Sequence, residues 1–77
     1  MAKSQELREL TAWLTQNSAG HWEYEADYQT DEFRGWLIYF SDKLFFQSCA
    51  DFDKGHAECV LLLELLKAFN KQANLGG

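Results

Sequence analysis

One stretch constrains what this chain can fold into more than any other: His-Ala-Glu-Cys-Val-Leu-Leu-Leu-Glu-Leu-Leu-Lys-Ala-Phe, from His56 to Phe69. It is too long and too leucine-rich for a strand. Its apolar residues recur at Cys59, Leu62, Leu63, Leu66 and Phe69, which is helical spacing. Leu61, Leu65 and Ala68 widen that stripe on one flank, and Glu64, Lys67 and Lys71 mark the solvent side. A helix over residues 54–72 is predicted, with Asp51 or Asp53 as its cap and with Asn74 and the Gly76-Gly77 pair unable to extend it. So broad an apolar face must lie on something, and the rest of the chain reads as the surface it covers.

That surface begins with a second, shorter helix. Ser4 is a candidate N-cap, Glu6 and Glu9 sit near the positive end of the dipole, and Leu7, Leu10 and Leu14 repeat at i, i+3, i+7 with Trp13 beside them. Arg8, Thr15 and Gln16 face away, giving a helix over 4–16. Asn17-Ser18-Ala19-Gly20 ends it, as Asn and Gly do where a chain turns left-handed. The period then drops to two. Trp22, Tyr24, Ala26 and Tyr28 fall on one face of a strand over 21–28, and Glu23, Glu25 and Asp27 on the other. A polar turn, Gln29-Thr30-Asp31-Glu32, leads to a strand over 34–40 that is continuously apolar after Gly35. Ser41-Asp42-Lys43 makes a tight connection to a third strand over 44–49.

The predicted fold is therefore a single α+β domain over residues 1–77. It is a two-layer α-β-β-β-α arrangement, a three-stranded antiparallel meander with the second strand central and two helices on one face. Covering one face leaves the other open. Either Trp36, Ile38 and Phe40 or Leu37 and Tyr39 then face solvent, and the third strand turns out either Phe45 or the Leu44/Phe46 pair. An apolar patch of that kind marks a contact site unless strand twist and the ends of the helices cover most of it.

Charge narrows the functions. Twelve acids against seven bases give a net charge of −5, whereas a nucleic-acid binder presents a basic stripe to phosphates. Acidity suits a basic protein partner. No apolar run is long enough to span a bilayer, and the N-terminus lacks a signal-peptide apolar region, so no membrane association is expected and the compartment is expected to be cytoplasmic. Cys49 and Cys59 are expected as reduced thiols. Five acids, Glu23, Glu25, Asp27, Asp31 and Glu32, occupy residues 21–32 without a Lys or Arg among them. They read as charged protection of an edge strand, as a strip docking on a basic surface or mimicking a phosphate track, or as a divalent-cation site, for which a strand lacks the converging geometry of a loop. Asp51-Phe52-Asp53-Lys54-Gly55-His56-Ala57-Glu58 gathers metal-binding and proton-moving groups. However, Gly55 stands where a calcium loop wants an acid and no bidentate glutamate follows, so capping is the expected role and His56 is expected at the surface. There is no phosphate loop, nucleophile elbow or zinc spacing, hence no expected enzyme, metal or cofactor. The Gly76-Gly77 end is shared with ubiquitin-like modifiers, whose β-grasp fold opens on a hairpin rather than a helix.

The α-β-β-β-α order with a long last helix resembles the double-stranded RNA-binding domain over about residues 4–72. The likeness lies in element order and length. That family reads RNA with a Gly-Pro-x-His type loop between its first two strands and a lysine cluster opening its last helix. Here the loop is the acidic Gln29-Thr30-Asp31-Glu32-Phe33, and Lys54 stands alone beside Gly55 and His56. Direct nucleic-acid binding is not expected. The reading is a small acidic, non-enzymatic protein-interaction module, an inhibitor or adaptor docking on the basic, nucleic-acid-binding surface of a partner in the manner of phage anti-defence proteins. Its expected contact residues are Glu23, Glu25, Asp27, Asp31, Glu32, Trp36, Tyr39 and Phe45. The alternatives are a homodimeric assembly protein, closed through the aromatic sheet face, and a degenerate RNA-binding-domain-like module.

Overall fold

The computed structural model describes residues 2–76, with side chains placed for 5–71. The chain runs α1 (Ala2–Asn17), β1 (Trp22–Gln29), β2 (Glu32–Phe40), β3 (Lys43–Gln47) and α2 (Phe52–Gly76). The strands form one antiparallel sheet in the order β1-β2-β3. Both helices lie on one face of it, so the expected meander and its two-layer arrangement hold. One core joins them: Leu7, Leu10 and Leu14 of α1, Trp22, Trp36 and Ile38 of the sheet, and Cys59 and Leu63 of α2 are all buried.

Helix ends depart from expectation in instructive ways. α1 starts at Ala2, so Ser4 lies inside the helix rather than capping it, and Glu6 and Glu9 fall beyond the first turn. Its C-terminus does not turn left-handed, since Asn17 and Gly20 are absent from the positive-φ residues. Side chains take over the last carbonyls instead. Asn17 Nδ2 donates to Trp13 O at 2.8 Å, and the Ser18 hydroxyl donates to Leu14 O. The same turn grips β1: Trp22 N–H donates to Thr15 Oγ1 and Trp22 Nε1–H to Ser18 Oγ, each at 2.8 Å. Thr15 therefore faces the sheet. α2 takes the expected Asp51 cap, Asp51 Oδ1 accepting Lys54 N–H at 2.8 Å, but starts at Phe52 rather than at residue 54. It runs on through Asn74 to Gly76, because such residues lower helix propensity without breaking a helix as proline would.

One tight turn and two glycines set the sheet. Ser41 and Asp42, with φ of 50° and 70°, form a two-residue hairpin loop whose paired positive dihedrals match the twist of its strands. Gly35, with φ of 144°, and Gly55 at the start of α2 clasp one backbone segment from both sides. A Cβ on Gly35 would stand 2.7 Å from Ser48 O, and one on Gly55 would stand 2.9 Å from Cys49 O. Between these glycines Ser48 is buried and its Oγ accepts Trp36 N–H at 2.8 Å. This clasp pins the entry of α2 onto the central strand.

Two groups of aromatic residues stand at opposite ends of the core. Trp36 meets Phe33, Phe52 and His56 at ring separations of 6.0, 5.1 and 5.6 Å, and its Nε1–H donates to Phe52 O at 2.9 Å. At the other end Trp22 packs against Phe40 and Phe45 at 4.7 and 4.9 Å. Trp36 thus ties α2 to the sheet, whereas Trp22, Phe40 and Phe45 pack against one another across the three strands.

Candidate functional site: the open face of the sheet

Two-residue alternation fixes what the open face presents. With Trp36, Ile38 and Phe40 turned to the helices, Leu37 and Tyr39 face out, the second of the two arrangements the sequence allowed. On β1 the outward residues are Glu23, Glu25 and Asp27, paired across to Tyr39, Leu37 and Gly35. On β3 Leu44 lies opposite Tyr39 and Gln47 opposite Leu37. The open face is thus an acidic row along the free edge, a Tyr39–Leu37 row along the middle, and Leu44 with Gln47 on the far edge.

Two expected contact residues are elsewhere. Trp36 is buried at 4% exposure and belongs to the helix side, because Ala26 pairs with it and both point inward. Phe45 remains 46% exposed but turns its ring edge-on to Trp22, toward the helix side, rather than onto the open face. A bulge between Ile38 and Tyr39 causes this: Ile38 pairs with Phe46 and Tyr39 with Leu44, so Phe45 is the extra residue. An extra residue breaks the alternation that strict pairing would impose. The face is therefore acidic with one tyrosine and scattered leucines, not an aromatic patch.

Asp31 and Glu32 are exposed but stand at the tip of the β1–β2 hairpin, Glu32 pairing with Gln29. They continue the acidic row past a bulge at Asp27/Tyr28. From Glu23 to the hairpin tip the acids spread over about 20 Å of edge strand.

Local contacts orient the row. Tyr39 Oη–H donates to Glu25 Oε1 at 2.9 Å, and the hydrogen bond together with the Glu25 and Asp27 charges raises the Tyr39 pKa above its ordinary value. Glu23 Oε1 lies 3.1 Å from His21 Nε2. A shallow groove of about 240 Å³ lined by Glu23, Tyr24, Glu25, Tyr39 and Asp42 runs along this edge. Such an edge can accept hydrogen bonds from Lys or Arg side chains and set a flat apolar ring beside them.

The other candidates resolve as scaffold. His56 is buried at 6% exposure, against the expectation of a surface residue. It stands at i−3 from Cys59 and i−7 from Leu63, on the core stripe of α2, a spacing visible in the sequence. Both cysteines are free thiols. Burial and the nearby Glu58 charge push the Cys59 thiol up to about 11, so it stays protonated and inert at neutral pH. Among the described residues no cluster of three His, Cys, Asp or Glu side chains could hold a metal ion. Nor is any helix there long and apolar enough to cross a membrane.

One surface was missed. Leu61 and Leu65 are each 60% exposed and Phe69 is 70% exposed, although the sequence pattern had counted all three with the buried stripe. Helix geometry gives the reason: at about 100° per residue, Leu61 lies roughly 200° round from Leu63, so the two cannot face one core. The signal was an apolar arc too wide for the surface available to cover it.

Comparison with protein-family models, curated proteins and solved structures found no match. The site rests on its own geometry.

Proposed function

We propose that the chain is a small acidic protein-interaction module whose open sheet face docks on a basic surface of a partner protein, as an inhibitor or adaptor. The observation that carries this reading is the row of Glu23, Glu25 and Asp27 on the open face of an edge strand, beside Tyr39, whose hydroxyl already bonds Glu25. The carboxylates steer a basic partner and fix its register, and Tyr39 and Leu37 supply the desolvated contact between them. Edge protection alone asks only for charge on the strand. It does not ask for a tyrosine anchored into the same row.

The test compares two charge reversals of equal size. Glu23→Lys, Glu25→Lys and Asp27→Lys alter the open face. Glu6→Lys, Glu9→Lys and Glu64→Lys alter the groove between the helices, where those three residues lie with Leu10, Trp13 and Lys67. Wild type and both variants are used to capture partners from host lysate, with washes from about 50 to about 500 mM NaCl. The expected result is a basic protein retained at low salt by wild type and by the groove variant, and lost from the sheet variant. Equal retention by both variants would remove the open face as the docking site. Recovery of duplex RNA would favour a nucleic-acid module instead.

A further inference from the structure

The second exposed surface, on α2, is of a different kind and calls for a different occupant. Leu61, Leu65 and Phe69 stand one turn apart as a single ridge, with the exposed Lys54, Ala57 and Ala68 beside it. None of the three is part of the buried core. From this ridge we infer that the chain pairs with a second copy of itself through the outer face of α2, Leu65 lying against its own counterpart.

Charge points to the copy rather than to a basic partner. Within α2, Asp53, Glu58 and Glu64 are matched in number by Lys54, Lys67 and Lys71, so the whole net charge of −5 falls on residues 1–51. Two copies approaching by their sheets would set Glu23, Glu25 and Asp27 against the same carboxylates. Approaching by α2, they meet where the net charge is zero. Glu58 and Glu64 flank the ridge with Lys54 beside it, so a basic partner meets a nearly neutral helix and little steering toward it.

Size and shape agree. The ridge with its alanines forms an apolar band on the order of 400 Å², comparable to the largest patch on a typical monomer, which is often functional. Doubled by symmetry and rimmed by the flanking charged stems, it reaches about 1,000 Å² in total, the low end of specific interfaces. Leu61, Leu65 and Phe69 follow an i, i+4, i+8 line, and two such lines interdigitate when helices cross at about −50°. The contact is isologous, as a twofold dimer requires. It leaves both acidic sheet faces pointing outward, so a dimer would carry two docking faces.

Sedimentation velocity of the full chain tests the inference over about 2 to about 200 µM. The expected result is a monomer–dimer equilibrium with a dissociation constant on the order of 10 µM. Raising salt should tighten it, because screening relieves the repulsion of two like-charged copies. Leu65→Lys should raise that constant at least about tenfold while leaving the far-UV circular dichroism unchanged, since the side chain it replaces is exposed. Leu65→Cys, in a Cys49→Ser background, should cross-link to itself on mild oxidation. A monomer throughout the range would overturn the pairing. So would a dimer indifferent to Leu65→Lys, or a monomer that instead binds neutral phosphatidylcholine vesicles through α2. The sign of the salt effect separates this pairing from docking on the sheet, which salt weakens.

Discussion

The open face of the sheet and the outer face of α2 are both left uncovered by the core, and they are opposite in kind. On the sheet, acids at Glu23, Glu25 and Asp27 alternate with residues on the opposite face, so each outward carboxylate is one position from an inward-facing side chain. On α2, Leu61 and Leu65 are exposed while Leu63 between them is fully buried. A pleat offers only two directions, so a polar choice at alternate positions settles the whole strand. A helix offers a full circle, and an apolar arc wider than its seat leaves leucine in water. The difference teaches that exposure on β1 fits charge placed to face out, whereas exposure on α2 calls for a second surface to cover it.

The strongest way to break that comparison is to truncate both sides of α2. Leu63→Ala should lower the free energy of unfolding in urea by about 2–5 kcal/mol, from lost burial and a residual cavity. Leu65→Ala at monomeric concentration should change it by no more than about 0.5 kcal/mol. Similar losses at the two sites would mean that α2 is seated otherwise than described.

The next effect tests the clasp that fixes which side of β2 is outward. Gly35→Ala combines an unfavourable φ of 144° with a contact of 2.7 Å to Ser48 O, and should cost about 1–3 kcal/mol. Ser48→Ala should cost a similar amount, about 1–3 kcal/mol, by leaving the Trp36 N–H without its buried acceptor. If both are neutral in the urea midpoint, the entry of α2 is not pinned there.

A smaller effect is expected at alkaline pH. The Cys59 pKa rises from 9.0 to about 11 on folding. The native state therefore holds this proton more tightly than the unfolded chain. Its contribution to stability is fully present below about 9 and is lost as pH climbs through about 11. Urea midpoints should begin to fall above pH 9, and less so in Cys59→Ala once its own packing loss is subtracted. A Cys59 that reacts with a thiol reagent in the native state as fast as Cys49 would contradict its burial.

The smallest effect sharpens the description of the acidic row. Tyr39 should ionise above the ordinary tyrosine range in an ultraviolet titration, and Glu25→Gln should bring it back toward that range, because the Glu25 charge and its hydrogen bond both oppose the tyrosinate. No movement on that substitution would separate Tyr39 from the row.

How much of this was legible in the sequence differs element by element, for physical reasons. The α-β-β-β-α order and the acidic face of β1 followed from periodicity, since alternation from Trp22 to Tyr28 admits one assignment. β2 did not settle itself, because its apolar residues satisfy both phases of the pleat. Its direction comes from tertiary partners, Ser48 and Phe52 around Trp36. The turn of Phe45 toward Trp22 depends on a bulge opposite Tyr39, and a bulge is a matter of pairing between strands rather than of either strand alone. His56 and Leu61 were legible in principle. Counting helical angle rather than apolar content places His56 inside and Leu61 outside.

The central claim is that the acidic sheet face, and not α2, receives the partner. Once a captured partner is identified, amide chemical-shift mapping on ¹⁵N-labelled chain tests it most directly. With Leu65→Lys in place to keep the chain monomeric, the expected result is shifts confined to Glu23, Glu25, Asp27, Leu37 and Tyr39. They should fade as salt is raised, while Leu61 to Phe69 stay still. Shifts centred on Leu61 to Phe69, persisting in high salt, would contradict the account.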